Sequence, residues 1–240
     1  MNKINYLDLF HGIGGFALGA YWAGMKFENH FCSDIETYCQ ELYKLRFPDS
    51  IQLGDITKID TNKLPKGDWI ITGGFPCQDI SIAGKGAGIG GKRSGLWFEY
   101  WRIIRDLQPR FAIMENVGAI TFRGLKEVIG SLSEIGYNAE WQDIRASDMG
   151  APHRRERIWI AAYPMRYGLE RVHLQYELHK RQNGCKRIAG KCENKWDILP
   201  SSRLCRSKDG VSNRMDRLKG LGNSIVPQIA ELLFNQIKEI

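Results

Sequence analysis

An α/β protein with a mostly parallel seven-stranded sheet and a small appended lobe is the fold this 240-residue chain predicts. Three observations carry it: seven short apolar runs, helical periodicity between several of them, and a basic segment near the end where both patterns stop. The first run, Ile4 to Phe10, leads into Asp8-Leu-Phe10-His-Gly12-Ile-Gly14-Gly15-Phe16. Glycines there permit a tight turn and close backbone approach to a nucleotide-like ligand, with a helix opening behind it. Phe27 to Cys32, Ile51 to Leu53, Trp69 to Thr72, Phe111 to Met114, Ala139 to Ile144 and Arg157 to Tyr163 supply the other strands. Helical period recurs at Glu36 to Phe47, Leu96 to Leu107 and Leu125 to Ile135. Such alternation implies a sheet covered on both faces, with ligands at the carboxyl ends of its strands.

After Tyr163-Pro164 the chain turns polar, basic and cysteine-punctuated, and order returns at Asp216-Arg-Leu-Lys-Gly-Leu-Gly-Asn-Ser-Ile-Val-Pro227. Ile229, Leu232, Leu233 and Ile237 then share one helical face, and Pro227 suits the first turn. One main domain is expected, residues 1–163 with 216–240, carrying a short lobe at 164–215.

Composition narrows the classes further. The start has no signal pattern, and no apolar run approaches bilayer length, so a soluble cytoplasmic protein is expected. Six cysteines, at 32, 39, 77, 185, 192 and 205, form no CxxC pair, so reduced thiols are the default. Cys185, Cys192, Cys205 and His179 lack the spacing of a zinc knuckle, and no metal is expected. Residues 164–215 hold 12 Lys or Arg against 5 Asp or Glu, which is the whole net charge of +7, since 22 of each sign remain elsewhere. That concentration suits a polyanion partner or, alternatively, an ordinary lysine-rich solvated loop.

The chemistry-bearing stretch is Ile70-Ile-Thr-Gly-Gly-Phe-Pro-Cys-Gln-Asp79. Gly73 and Gly74 let the strand turn, Pro76 fixes one dihedral, and Cys77 stands at the mouth of the sheet as a nucleophile or as a small buried thiol. Asp34, about 20 residues beyond the glycine turn, sits where a carboxylate binds ribose hydroxyls and equally where one caps the next helix. Asp55 holds the equivalent place after the third strand, where it can accept from an adenine amino group.

Five blocks in order then resemble the C5-cytosine DNA methyltransferases of bacteria and phages: Asp8-Leu-Phe-His-Gly-Ile-Gly-Gly15, Gly74-Phe-Pro-Cys-Gln78, Met114-Glu-Asn-Val117, Arg154-Arg-Glu-Arg-Ile158 and Gly222-Asn-Ser-Ile-Val-Pro227. The resemblance covers most of 4–163 and 216–240. It implies a Rossmann-like catalytic domain, with 164–215 as a reduced target-recognition lobe. It also implies transfer of a methyl group from S-adenosyl-L-methionine to carbon 5 of cytosine, in duplex DNA whose target base is flipped out. The protein is expected to act as a monomer on DNA within a restriction-modification system.

By matching position, Cys77 is the thiol that adds to carbon 6, Glu115 bonds cytosine N3, and Arg157, with Arg155, holds the flipped base. Phe10, Gly12 and Gly14 surround the methionine moiety, and Asp34 meets the ribose. Ile35 and Ile56 lie against adenine, Asp55 takes its amino group, Leu96 joins them, and Asn223 and Ser224 close the site. Ile35 stands where relatives often carry an aromatic residue. The stretch Ala83 to Arg93 reads as a loop closing over DNA through Lys85, Lys92 and Arg93, or as a flexible surface loop. The usual ninth block is not recognisable between Ser201 and Arg217. Two alternatives share the scaffold, an RNA cytosine-C5 methyltransferase and a catalytically weak DNA-binding relative. The set Cys77, Glu115 and Arg157 argues against the second. A dinucleotide-dependent oxidoreductase would explain only the glycine turn.

Overall fold

A computed structural model describes residues 4–76, 95–167 and 223–238. Cys77, the stretch 83–93 and nearly all of 164–215 lie outside the described residues. The seven strands are β1 (Ile4–Leu9), β2 (Asn29–Ser33), β3 (Ile51–Gln52), β4 (Asp68–Gly73), β5 (Phe111–Val117), β6 (Tyr137–Arg145) and β7 (Glu156–Pro164). Helices α1 (Gly15–Trp22), α2 (Thr37–Arg46), α3 (Leu96–Leu107), α4 (Ile120–Arg123), α5 (Leu125–Glu134) and α6 (Pro227–Lys238) are interleaved with them or follow.

The strand order is β3-β2-β1-β4-β5-β7-β6. β1 to β5 run parallel, and β7 lies antiparallel to both β5 and β6. Alternation sorts the side chains to two faces. Tyr6, Ile70, Phe111, Ile113 and Trp159 join α1 and α6 on one side. Leu7, Leu9, Ile71, Met114 and Ile160 join α3 and α5 on the other.

The longer helices α3, α5 and α6 are each held by an apolar stripe. In α3, Trp97, Tyr100, Ile103 and Ile104 are buried at helical spacing. Each such side chain is worth about 1.5–3 kcal/mol, whereas a twelve-residue helix alone is marginal in water. The α1–α6 crossing depends on a missing side chain. A Cβ at Gly19 would lie 2.5 Å from the Ala230 Cβ and 2.6 Å from the Pro227 carbonyl, so only glycine admits this approach. That crossing brings the segment before α6 against the α1 end of the sheet, where a Cβ at Gly15 would meet Ile225 at 2.7 Å.

Candidate active site

The turn between β1 and α1 is held in an uncommon conformation. Phe10, Gly12 and Gly14 have φ of 50°, 51° and 85°, and for the non-glycine Phe10 the left-handed region costs about 1–2 kcal/mol. Contacts from β2 offset that cost. The His11 N–H donates to Ser33 O (3.3 Å) and the Gly12 N–H to Asp34 Oδ2 (2.9 Å). His11 is buried, and its Nδ1 donates to the Gly12 carbonyl (2.8 Å), which leaves Nε2 to accept from Gln52 Nε2 (3.0 Å). Burial lowers the His11 pKa, keeping the ring neutral.

Above this turn opens a cavity of about 470 Å³, within the range of small-molecule sites. Phe10, Gly12, Asp34, Ile35, Asp55, Ile56, Leu96 and Asn223, gathered from five separate stretches of the sequence, all line it. Gly14 lies behind it, where an added Cβ would come within 2.7 Å of the Phe47 ring, and the Ser224 carbonyl turns to Arg155. Both carboxylates have second tasks. Asp34 Oδ1 accepts from the Glu36 N–H (2.9 Å), so Asp34 fastens the glycine turn and supports the start of α2 at once. Asp55 Oδ1 accepts from the Thr57 N–H (3.0 Å) and hydroxyl (2.9 Å), bonds that hold its carboxyl below the ordinary range. Each keeps acceptor capacity toward the cavity. Sequence reasoning missed Tyr38, Cys39, Thr57 and Pro76, which also line it. Tyr38 and Cys39 stand three and four residues after Ile35 at the head of α2, a spacing that turns them to one side.

Beneath the turn lies a polar core that the sequence did not reveal. Asp8 is fully buried, and its carboxylate accepts from Thr72 Oγ1 (2.8 Å) and Tyr43 OH (3.0 Å), as well as from the Ala17 backbone in α1. Tyr43 OH also meets His30 Nε2 at 2.7 Å. Since Gly14, the residue before α1, brings no side-chain cap, Asp8 supplies from β1 the acceptor that a capping residue would ordinarily provide. Burial pushes the Asp8 carboxyl up to about 7.

The second half of the site is built by β5 and β7. Glu115 pairs in register with Trp159, and Val117 with Arg157, so Glu115, Arg157 and Arg155 point to one face. Arg157 Nε lies 3.0 Å from Glu115 Oε1, and Arg155 Nη2 donates to Ser224 O (2.7 Å), tying β7 to the segment that leads into α6. Burial pushes the Glu115 carboxyl up to about 7, against the opposing pull of the Arg157 and Arg155 guanidiniums. β4 comes close as well. A Cβ at Gly74 would stand 3.2 Å from Glu115 Oε2, and Asn116 Nδ2 donates to Phe75 O (2.8 Å). Asn116 was not singled out in the sequence, although it belongs to the block Met114-Glu-Asn-Val117. Arg154 is exposed to solvent. Among the described residues, no three His, Cys, Asp or Glu side chains are grouped to hold a metal ion, and no helix is long and apolar enough to cross a membrane.

A parallel sheet closed by an antiparallel strand, with a nucleotide-sized cavity over the carboxyl ends of β1 and β2, defines a Rossmann-like cofactor-binding protein with a carboxylate–guanidinium pair beside the cavity. The chain belongs to the C-5 cytosine-specific DNA methylase family, whose model matches residues 4–209. It is 39% identical over 165 residues to the Type II methyltransferase M1.ScrFI of Lactococcus lactis subsp. cremoris, covering 67% of this chain and 42% of that one. To M.HaeII of Haemophilus aegyptius it is 31% identical over 221 residues, covering 90% and 64%. The chain therefore spans roughly half the length of such curated relatives. Among solved structures, a prophage-encoded E. coli protein described as a DNA modification methyltransferase superposes with TM-score 0.56 at 26% identity, over 69% of this chain and 48% of that one. A Spodoptera frugiperda DNMT2 mutant gives TM-score 0.56 at 24% identity, over 68% and 50%, and shares the fold.

Proposed function

We propose that this chain transfers a methyl group from S-adenosyl-L-methionine to carbon 5 of a cytosine flipped out of duplex DNA, through a transient bond between Cys77 and carbon 6. The observation that carries the reading is the approach of Gly74-Phe75-Pro76, the segment ending one residue before Cys77, to Glu115. A carboxyl of raised pKa and two guanidiniums stand together there, and the segment that reaches them leads directly into Cys77 in the sequence, the set that addition to a pyrimidine requires.

The cavity residues fit the cofactor. Asp34 and Asp55 offer acceptors for hydroxyl and amino groups, Ile35 and Ile56 offer apolar walls, and Phe10 and Gly12 bring the glycine turn against it. When bound, the cofactor supplies an electrophilic methyl group on a sulfonium. Everything else falls to the chain. Glu115, with its pKa near neutrality, is partly protonated at pH 7 and gives its proton to N3 as the Cys77 thiolate adds to carbon 6. Carbon 5 becomes nucleophilic and takes the methyl group. Loss of the carbon 5 proton to a base such as solvent water, rupture of the S–C6 bond and return of the N3 proton to the Glu115 carboxylate then restore the ring, the thiolate and the acid. Arg157 holds the Glu115 carboxyl in place and faces the ring oxygen. Leu96 and Asn223 bound the cofactor, and Ser224 with Arg155 fastens the far wall.

The same reading takes 164–215 as the basic target-recognition lobe beside a catalytic unit formed by 1–163 and 216–240, in a cytoplasmic enzyme that is monomeric on DNA and part of a restriction-modification system. The test is methyl incorporation into unmethylated duplex DNA and, side by side, structured RNA. Transfer to duplex is expected, and Cys77→Ser should abolish it. Transfer to RNA alone, or full activity in the variant, would contradict the reading.

A further inference from the structure

The turn after β5 carries an apolar side chain that the fold does not use. In α4, Ile120 is completely buried while Phe122 is 93% exposed, the most exposed large hydrophobic residue among those described. Arg123 and Thr121 are exposed beside it, and Val117, 38% exposed, precedes it on the same turn. From Val117 to Lys126 the sequence has two cations and no acid. The turn starts two residues after Glu115, and Val117 is paired in register with Arg157. An exposed ring and an exposed cation therefore stand at the same end of the sheet as the carboxylate–guanidinium pair.

One ring and one cation are too small for a stable protein interface, which buries about 1,200 Å² or more. A membrane-binding helix would need more than the four residues of α4. Stacking on a nucleobase, in contrast, needs a single aromatic face, and a phosphate needs a single guanidinium. We infer that Phe122 and Arg123 form a nucleic-acid contact outside the reactive pocket, with Phe122 wedged against a partly unstacked base of duplex DNA and Arg123 pairing with a neighbouring phosphate. The inference rests on the proposed action on DNA and extends it to a surface none of the five sequence blocks contains.

The test uses the full chain and a labelled mixed-sequence duplex of about 25 base pairs, with affinity measured across a range of salt. Phe122→Ala should weaken binding about tenfold at every salt concentration and leave the salt slope unchanged, because stacking releases no counterions. Phe122→Tyr should restore most of that loss. Arg123→Ala should reduce the salt slope by about 1. Unchanged binding in Phe122→Ala overturns the inference, as does a tyrosine variant as weak as alanine. So does a Phe122→Ala variant that binds DNA normally but sediments as a smaller species, which would assign the ring to a protein contact. Covalent trapping of the wild-type chain on 5-fluorocytosine duplex separates the two readings. Trapping together with unaffected Phe122→Ala binding defeats this inference alone, and a wild-type chain that neither binds nor is trapped defeats both.

Discussion

Asp8 and Glu115 are buried carboxyls at the ends of β1 and β5, and burial pushes both up to about 7. Their surroundings make them opposites. Asp8 is sealed among hydroxyls from Thr72 and Tyr43 and an α1 backbone group. Glu115 faces a guanidinium at 3.0 Å and the glycine of the loop that leads to Cys77. A raised pKa alone therefore does not mark a reacting group. Access and the charge of the partners do, and on that basis the proposed function gives Asp8 the task of positioning the glycine turn and Glu115 that of meeting the substrate.

The sharpest way to break this contrast is to neutralise each carboxyl in turn. Glu115→Gln should lower methyl transfer by about 10²–10⁴-fold, the span of a lost general acid, with cofactor affinity little changed. Asp8→Asn should instead weaken cofactor binding, measured calorimetrically, and spare the chemical step at saturating cofactor. Equal losses of turnover in both would erase the distinction. A second separation comes from Arg157→Gln. Removing the facing charge lets the Glu115 pKa rise further, so the alkaline limb of the pH–rate profile should move upward, whereas Asp8→Asn should leave that limb where it is.

Smaller effects concern stability. Tyr43→Phe removes the hydroxyl shared by Asp8 and His30 and should cost about 1–3 kcal/mol in denaturant unfolding, since both partners stay buried. A carboxyl whose pKa is higher in the folded chain than in the unfolded one keeps its proton longer when folded. Its contribution is full below about pH 4 and is lost as pH rises through about 7. Wild-type stability should fall across that window, and Asp8→Asn should flatten the fall, as read from unfolding midpoints at pH 5 and pH 8.

The contrast also explains what the sequence disclosed. Apolar runs such as Trp69 to Thr72 and Phe111 to Met114 announce strands because burial on both faces leaves no room for polar alternation. Glu115, Arg157 and the glycine turn were legible because each lies inside a compact block of neighbours. Asp8 sits in such a block too, yet its role was invisible. Its partners Tyr43 and Thr72 are 35 and 64 positions away, and no local pattern encodes a bond that only the sheet order creates. The fastening of the glycine turn by Asp34 escaped for the same reason, since its bond to Gly12 spans 22 residues, whereas its support of α2 was legible. The placement of β7 between β5 and β6 was equally hidden, because strand alternation fixes which side chains share a face and not which strands are neighbours.

The most direct measurement is mass spectrometry of the chain after incubation with cofactor and 5-fluorocytosine duplex DNA. The expected result is a fluoropyrimidine adduct on the peptide containing Cys77, strongly reduced in Glu115→Gln. Methyl transfer to ordinary duplex with no adduct at Cys77, or with an adduct at another cysteine, would contradict it.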